Sequence, residues 1–354
     1  MAPPQKSFGA PPQEKIVVAF LGPIASYTHQ VQHPCQLYEC NLYGLTAIGL
    51  AQATLGVFAS DQYVCEPALT IEEVFIAVQS GKAACGVVPF ENSTNGAVVN
   101  TFEIMADRHD NYADITVCGE AYLDVHHCLV GKKSDAIYSP DLSGACTPTM
   151  SIPNPPKPRV TPLHSLKHVS TIISHPQAFG QCDAFLNFYL KGVPRVDATS
   201  TSEAAKLVKE DESGASAAIA SILTADLQDL DVLAKGIEDR EDNTTRFLII
   251  RKGVDAEAGS ADRTKSLISF KVDHGTPGAL ASVLNCFQKH GINLTSINSR
   301  PTKVVPFQYI FFVEFEGSRL RDPNQMVKKT LDALESYVQS WRWLGSWDDK
   351  LLTR

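Results

Sequence analysis

TIEEVFIAVQSGKAACGVVPFENSTNGAVVN, residues 70–100, runs from a capped helix through a buried strand into a polar cluster. Thr70 with Glu73 three positions on forms a capping box, and Ile71, Val74, Phe75 and Val78 share one helical face before Gly81 stops the helix. Cys85 to Phe90 is a short apolar run with a proline near its end, the pattern of a strand covered on both faces. Glu91-Asn92-Ser93-Thr94-Asn95-Gly96 follows at once. In an open α/β sheet ligands sit beyond the carboxyl ends of strands, so hydrogen-bonding side chains there are suited to hold a small polar molecule. The same residues also form turns, which accounts for Asn95-Gly96 better than for Glu91-Asn92.

Working outward, the 354 residues suffice for two or three domains, and 44% apolar with 20% charged residues is the composition of an ordinary globular chain. A net charge of −8 without any basic run argues against a nucleic-acid partner and for a small-molecule ligand. Nine cysteines are scattered with no C-x-x-C pair, so they predict buried thiols in a reducing compartment, neither a zinc site nor a disulfide framework. The first 14 residues, proline-rich and without an apolar core, read as a disordered tail, and no stretch is long enough to span a bilayer. A cytoplasmic enzyme or sensor is the expectation, with no membrane partner.

Lys15 to Gly22 reads as the first buried strand. Residues 28–69 have weak periodicity, and the proline-rich stretch 131–168 reads as a surface excursion outside the core. Between them Asp114 to Val130 gives two strand-like runs, the second carrying His126-His127. Strand alternation sends these to opposite sides, predicting one histidine buried and bonded and the other exposed. Val169 to Ile173 is a strand; Ser174 then caps one helix running through Leu190. Ser200 and Glu203 form a second capping box, and two helix starts close together would receive a carboxylate with few cationic side chains. Asn243-Thr244-Thr245-Arg246 opens the strand Phe247 to Ile250, and 253–264 reads as a linker. The remainder, 265–350, reads β-α-β-β-α-β: strands at 265–273, 292–301, 307–315 and 341–347, with helices from Thr276-Pro277 to Gly291 and over 324–338.

Several of these segments together resemble the prephenate dehydratase family with a C-terminal ACT regulatory domain. The resemblance is carried by LGPIASYTH (21–29), GVVPFENSTNGAV (86–98), HHCLV (126–130), SHPQAFGQCDAFL (174–186), STSEAAKLV (200–208) and NTTRFLII (243–250), then GAL (278–280), GINLT (291–295) and SRP (299–301). It implies an α/β fold: a two-lobed, periplasmic-binding-protein-like catalytic region over 15–252, with residues 15–115 and 230–252 in one lobe and 116–229 in the other, followed by a ferredoxin-like ACT domain. It implies decarboxylating dehydration of prephenate to phenylpyruvate in L-phenylalanine biosynthesis, without cofactor or metal, under feedback by L-phenylalanine. With no mutase-like helical segment before residue 15, the monofunctional form is expected. Arogenate is the rival substrate, and a non-catalytic amino-acid-sensing protein on the same scaffold is the rival class.

Prephenate is a dicarboxylate with a ring hydroxyl, so its dehydration calls for a hydrogen-bond donor to the leaving oxygen and donors for the carboxylates. By the resemblance Thr245 is that donor, with Asn92, Ser93 and Gln181 as the other catalytic residues. Ser26, Tyr27, Glu91, Ser174, Thr201, Ser202 and Arg246 are expected to bind substrate, Thr28 belongs to the same first turn, and Arg246 is equally readable as half of a structural ion pair. His175 and Gln177 read as helix-start structure. Gly278, Ala279, Leu280, Asn293 and Leu294 are the expected L-phenylalanine site, at an interface between two ACT domains, and a homodimer or homotetramer follows from pairing of sheet edges. Asn298 stands where the family usually has glutamate.

Overall fold

The computed structural model describes residues 16–21, 63–134, 158–253 and 263–351. The tail 1–14, Ser26, Tyr27, Thr28 and most of the linker 253–264 lie outside them.

In chain order the first elements are β1 (Ile16–Leu21), β2 (Tyr63–Ala68), α1 (Ile71–Gln79), β3 (Cys85–Asn92), β4 (Gly96–Ala97), α2 (Val99–Met105) and β5 (Ile115–Asp124). The capping box forms: Thr70 Oγ1 accepts from the Glu73 N–H at 3.1 Å, and the Glu73 carboxylate accepts from the Leu69 N–H at 2.7 Å. The four apolar residues of the helix face are buried. β3 has Val87 and Val88 fully buried with its two faces in different cores, as its unbroken apolar run predicts.

Next come β6 (Cys128–Gly131), β7 (Thr171–Ser174), α3 (Pro176–Gly180), α4 (Asp183–Tyr189), β8 (Arg195–Asp197), α5 (Thr201–Glu210), β9 (Ser216–Ala220), α6 (Ile222–Gln228), β10 (Asp231–Lys235) and β11 (Thr244–Lys252). The first lobe's strands run β2-β1-β3-β11-β5, and the second lobe's run β10-β6-β9-β7-β8. The lobe borders therefore differ from expectation. Residues 116–124 belong to the first lobe, where β5 pairs antiparallel with β11, and β10 belongs to the second, paired with β6. Both were open to misassignment because neither run carries a local mark of its neighbour, and only ladder pairing decides the partner. The two crossing segments run side by side: the Val125 N–H donates to Asn243 O at 2.7 Å and the Ile237 N–H to His127 O at 3.0 Å.

Two further expectations need correction. Leu166 lies in the second lobe's core with Val160 packed against it, so the end of the 131–168 stretch is packed and not a free excursion. The single helix 174–190 is two, α3 and α4, broken at Gln181-Cys182, where the Gln181 carbonyl accepts from the Asp239 N–H at 2.7 Å. An external partner for that carbonyl stabilises the break.

β12 (Thr264–Lys271), α7 (Ala279–Lys289), β13 (Leu294–Pro301), β14 (Tyr309–Glu316), α8 (Met326–Leu334) and β15 (Ser340–Asp348) complete the βαββαβ unit. α7 is capped by Gly278 at φ +80°, not by Thr276, whose hydroxyl donates to Asp273. The sheet β13-β14-β12-β15 has one face on α7 and α8 and the other on the first lobe, where Leu267, Phe312 and Trp347 share a core with Val88 and Phe102. β15 meets β5 at the single parallel pair Gly345–Val117. Gly345 has φ +135°, and a Cβ there would lie 2.1 Å from the Val117 carbonyl oxygen, so the approach requires glycine.

Candidate active site

A cleft of about 590 Å³ opens between the lobes. The first lobe contributes Asn92, Asn95, Asn100, Thr245 and Phe247, and the second His127, His175, Gln177, Gln181, Thr199, Ser200 and Thr201. Among the described residues no lysine or arginine lines it.

The decisive local geometry is the β3–β11 register, which sets Thr245 opposite Asn92 and Arg246 opposite Glu91. Partners across a ladder share a face, and successive residues alternate. Asn92 and Thr245 therefore face the cleft, and Glu91 and Arg246 face the C-terminal unit. The Asn92 amide donates to Thr245 Oγ1 at 3.0 Å and to Asn243 Oδ1 at 2.9 Å, while its Oδ1 accepts from the Thr94 and Asn95 N–H groups at 3.0 and 2.9 Å. Thr245 Oγ1 acts as acceptor there, which leaves its own hydrogen to donate into the cleft and makes it a better donor.

Arg246 is 7% exposed and does not reach the cleft. Its Nε donates to Glu120 at 2.9 Å and its Nη2 to Glu314 of β14 at 2.5 Å; Glu91 is 3.9 Å away. Of the two readings left open, the ion pair is the one present, and the substrate-binding expectation for Arg246 and Glu91 is corrected by strand alternation. The two carboxylates hold the Arg246 pKa above its already high ordinary value against the opposing effect of burial.

Three serines also depart from expectation. Ser93 Oγ donates to Asp242 O at 2.8 Å and accepts from the Thr244 N–H at 2.9 Å, closing the turn on β11 and lying outside the cleft lining. Ser174 is fully buried and donates to Ile219 O at 2.9 Å, tying β7 to β9; the α3 cap is His175, whose Nδ1 accepts from the Gln177 N–H at 3.2 Å. Ser202 is buried and does not line the cleft, whereas Thr201 does, at the start of α5 where Ser200 Oγ accepts from the Glu203 N–H at 3.0 Å.

Gln181 and Thr201 face Thr245 across the cleft. His127 is 1% exposed with Nε2 at 2.6 Å from Gln181 Oε1, and burial pushes its pKa below the ordinary value, partly offset by that hydrogen bond. The neutral ring donates to the Gln181 carbonyl, which leaves the carboxamide nitrogen for the cleft. His126 is exposed and bonds Glu238 at 3.1 Å, so the buried–exposed division of the pair holds. Both residues precede β6, in a segment whose burial alternates from Asp124 to His127. Asn95 and Ser200, members of the two polar motifs, also line the cleft, as do Asn100 and Thr199, whose only sequence signal is adjacency to those motifs.

Residues 18–254 match the prephenate dehydratase family and residues 266–324 the ACT domain. The chain belongs to the prephenate dehydratase family. It is 31% identical over 340 residues to the bifunctional chorismate mutase/prephenate dehydratase of Aquifex aeolicus, covering 96% of this chain and 75% of that protein. It is 30% identical over 278 residues to the prephenate dehydratase of Methanocaldococcus jannaschii, covering 78% and 85%. The fold superimposes on a prephenate dehydratase from Arthrobacter aurescens, solved in complex with L-Phe, with a TM-score of 0.70 at 24% identity over 94% of this chain and 90% of that one. The two-lobed region of this family member thus has the periplasmic-binding-protein-like fold, and the C-terminal unit is its ACT domain.

Proposed function

We propose that the protein is a carbon–oxygen lyase that converts prephenate to phenylpyruvate. The observation that carries the reading is Thr245, whose hydroxyl accepts from Asn92 and lines the cleft facing Gln181 and the start of α5. In the reaction the ring carboxylate leaves as CO2, its bonding electrons enter the ring, and the ring C–O bond breaks with the oxygen departing as water once it has gained a proton. Aromatisation drives both departures. Thr245 donates a hydrogen bond to the leaving oxygen, Gln181 offers its carboxamide N–H groups, and unpaired N–H groups at the start of α5 beside Thr201 receive a carboxylate. A cleft lined without described cations is consistent with dipole and amide recognition of a dianion.

The test is turnover of purified protein on prephenate and separately on arogenate, with phenylpyruvate read by its absorbance in alkali and phenylalanine by chromatography. Phenylpyruvate from prephenate is expected. Turnover of arogenate alone would make it an arogenate dehydratase, and binding without product from either would make it a sensor.

L-phenylalanine is the proposed effector, bound at an ACT–ACT interface, and the working protein is at least a dimer. Gly278 caps α7, Ala279 is buried, Leu280 and Leu294 are half-buried, and Asn293 is exposed just before the edge strand β13. Along β13 and its following turn Ile297, Val304 and Phe307 are exposed at 49%, 80% and 85%, an apolar edge that favours a second copy. Inhibition of turnover by L-phenylalanine together with sedimentation as a dimer or larger is the expected result; an uninhibited monomer removes this part of the reading. Cytoplasmic location belongs to the same proposal, and among the described residues no helix is long and apolar enough to cross a membrane.

A further inference from the structure

Glu314 lies on β14 of the ACT domain, is 1% exposed, and divides its carboxylate between two regions of the molecule. Oε2 accepts from Arg246 of the catalytic strand β11 at 2.5 Å, and Oε1 accepts from the hydroxyl of Thr295 on β13 at 2.7 Å. Thr295 directly follows Asn293-Leu294, and Arg246 directly follows Thr245. One buried side chain therefore touches the neighbours of both the proposed effector residues and the proposed catalytic donor.

The rest of the cluster leaves Glu314 as the member that joins Arg246 to β13. Glu120, a second carboxylate on Arg246, sits on β5 in the same sheet as β11, and its Oε1 accepts from the Lys350 N–H at 2.8 Å while Lys265 of β12 stands 3.6 Å away. The guanidinium also lies over the Phe90 ring at 5.3 Å. Glu120 and Phe90 hold the guanidinium from the first lobe, and Glu314 holds it from β14. A buried charge keeps its partner because losing it leaves both ions unsolvated, so a turn of the Glu314 carboxylate must be followed by the guanidinium. β11 is paired on both sides, which makes it stiff enough to pass a displacement at Arg246 to the adjacent Thr245.

We propose that Glu314 is a positioning residue for the dehydratase reaction: through Arg246 it fixes where Thr245 presents its hydroxyl, and through Thr295 it makes that placement depend on β13. The inference rests on the reading of Thr245 as donor to the leaving hydroxyl of prephenate.

A double-mutant cycle on the full-length chain tests it. Glu314→Gln keeps the side-chain shape and is expected to lower kcat about tenfold with KM for prephenate changed less than about twofold. In a Thr245→Ala background the same change should cost less than about twofold, because the residue it positions is gone. Equal losses in the two backgrounds, or no loss in the unaltered one, overturn the proposal. Should Glu314→Gln not fold, Thr295→Val removes only the second hydrogen bond and is carried through the same cycle with the same criterion. Absence of prephenate turnover in the unaltered protein, or near-normal turnover of Thr245→Ala alone, defeats the underlying reading; the cycle failing while both controls behave defeats only the coupling.

Discussion

Asn92 donates to the hydroxyl of Thr245 at 3.0 Å across a β-ladder that joins residues 153 positions apart. The same amide nitrogen also meets two other acceptors, Asn243 Oδ1 and the Thr244 carbonyl. Aspartate at position 92 would have no hydrogen to give the Asn243 and Thr244 oxygens, and its carboxylate would draw the Thr245 hydroxyl hydrogen away from the cleft.

Asn92→Asp is expected to lower kcat by about 100-fold or more and to destabilise the fold by about 1–3 kcal/mol, the cost of leaving partly buried acceptors unpaired. Steady-state kinetics and urea melts on one preparation measure both. Full activity in the variant would detach Asn92 from the chemistry.

His127 predicts a pH dependence of stability with a definite sign. Burial lowers its pKa in the folded chain from the ordinary 6.5, so between the lowered value and 6.5 the unfolded chain binds more protons. The stabilisation is complete above that upper limit and is lost as pH falls toward the lowered value, with a slope of at most about 1.4 kcal/mol per pH unit. Urea melts at several pH values should give a steeper acid loss for the unaltered protein than for His127→Asn; parallel curves would contradict the assignment.

Arg246→Ala leaves Glu120 and Glu314 facing each other in a site where both carboxylates are at most 2% exposed. Breaking such a buried pair costs about 3–5 kcal/mol, so a large fall in Tm is expected at neutral pH. A change in Tm of under about 2 °C would show that water reaches the cluster after all.

Gly345→Ala tests the joint between the ACT sheet and the first lobe. With φ at +135° and the Val117 oxygen at 2.1 Å from an added Cβ, β15 must withdraw from β5. Destabilisation of about 2 kcal/mol or more is expected from strain and lost packing. Calorimetry giving an unchanged melt would mean that the contact bears no part of the domain packing. The same shared core makes deletion of residues 260–354 a poor probe of regulation, because Phe312 and Trp347 would be removed from against Val88 and Phe102.

Much of the fold was legible along the chain. The capping box at Thr70 and Glu73, the covered strand β3 and the β-α-β-β-α-β order at the C-terminus each rest on contacts between residues a few positions apart or on a period of two or 3.6, which sequence displays directly. The ordered motifs likewise fixed the family, and they brought Asn92, Gln181, Thr201 and Thr245 to one cleft. Composition alone gave no means of telling those residues from Ser93, Ser174, Ser202, Glu91 and Arg246, which stand in the same motifs.

What separates the two sets is register and pairing, and these belong to the tertiary structure. Arg246 turns away from the cleft because Thr245, beside it on β11, turns toward it, and Ser174 is consumed by a carbonyl 45 residues distant. The lobe borders, the break at Gln181 and the His127–Gln181 bond depend likewise on partners far along the chain. A polar side chain takes whichever partner the fold brings within about 3 Å, and local sequence carries no record of a partner that distant.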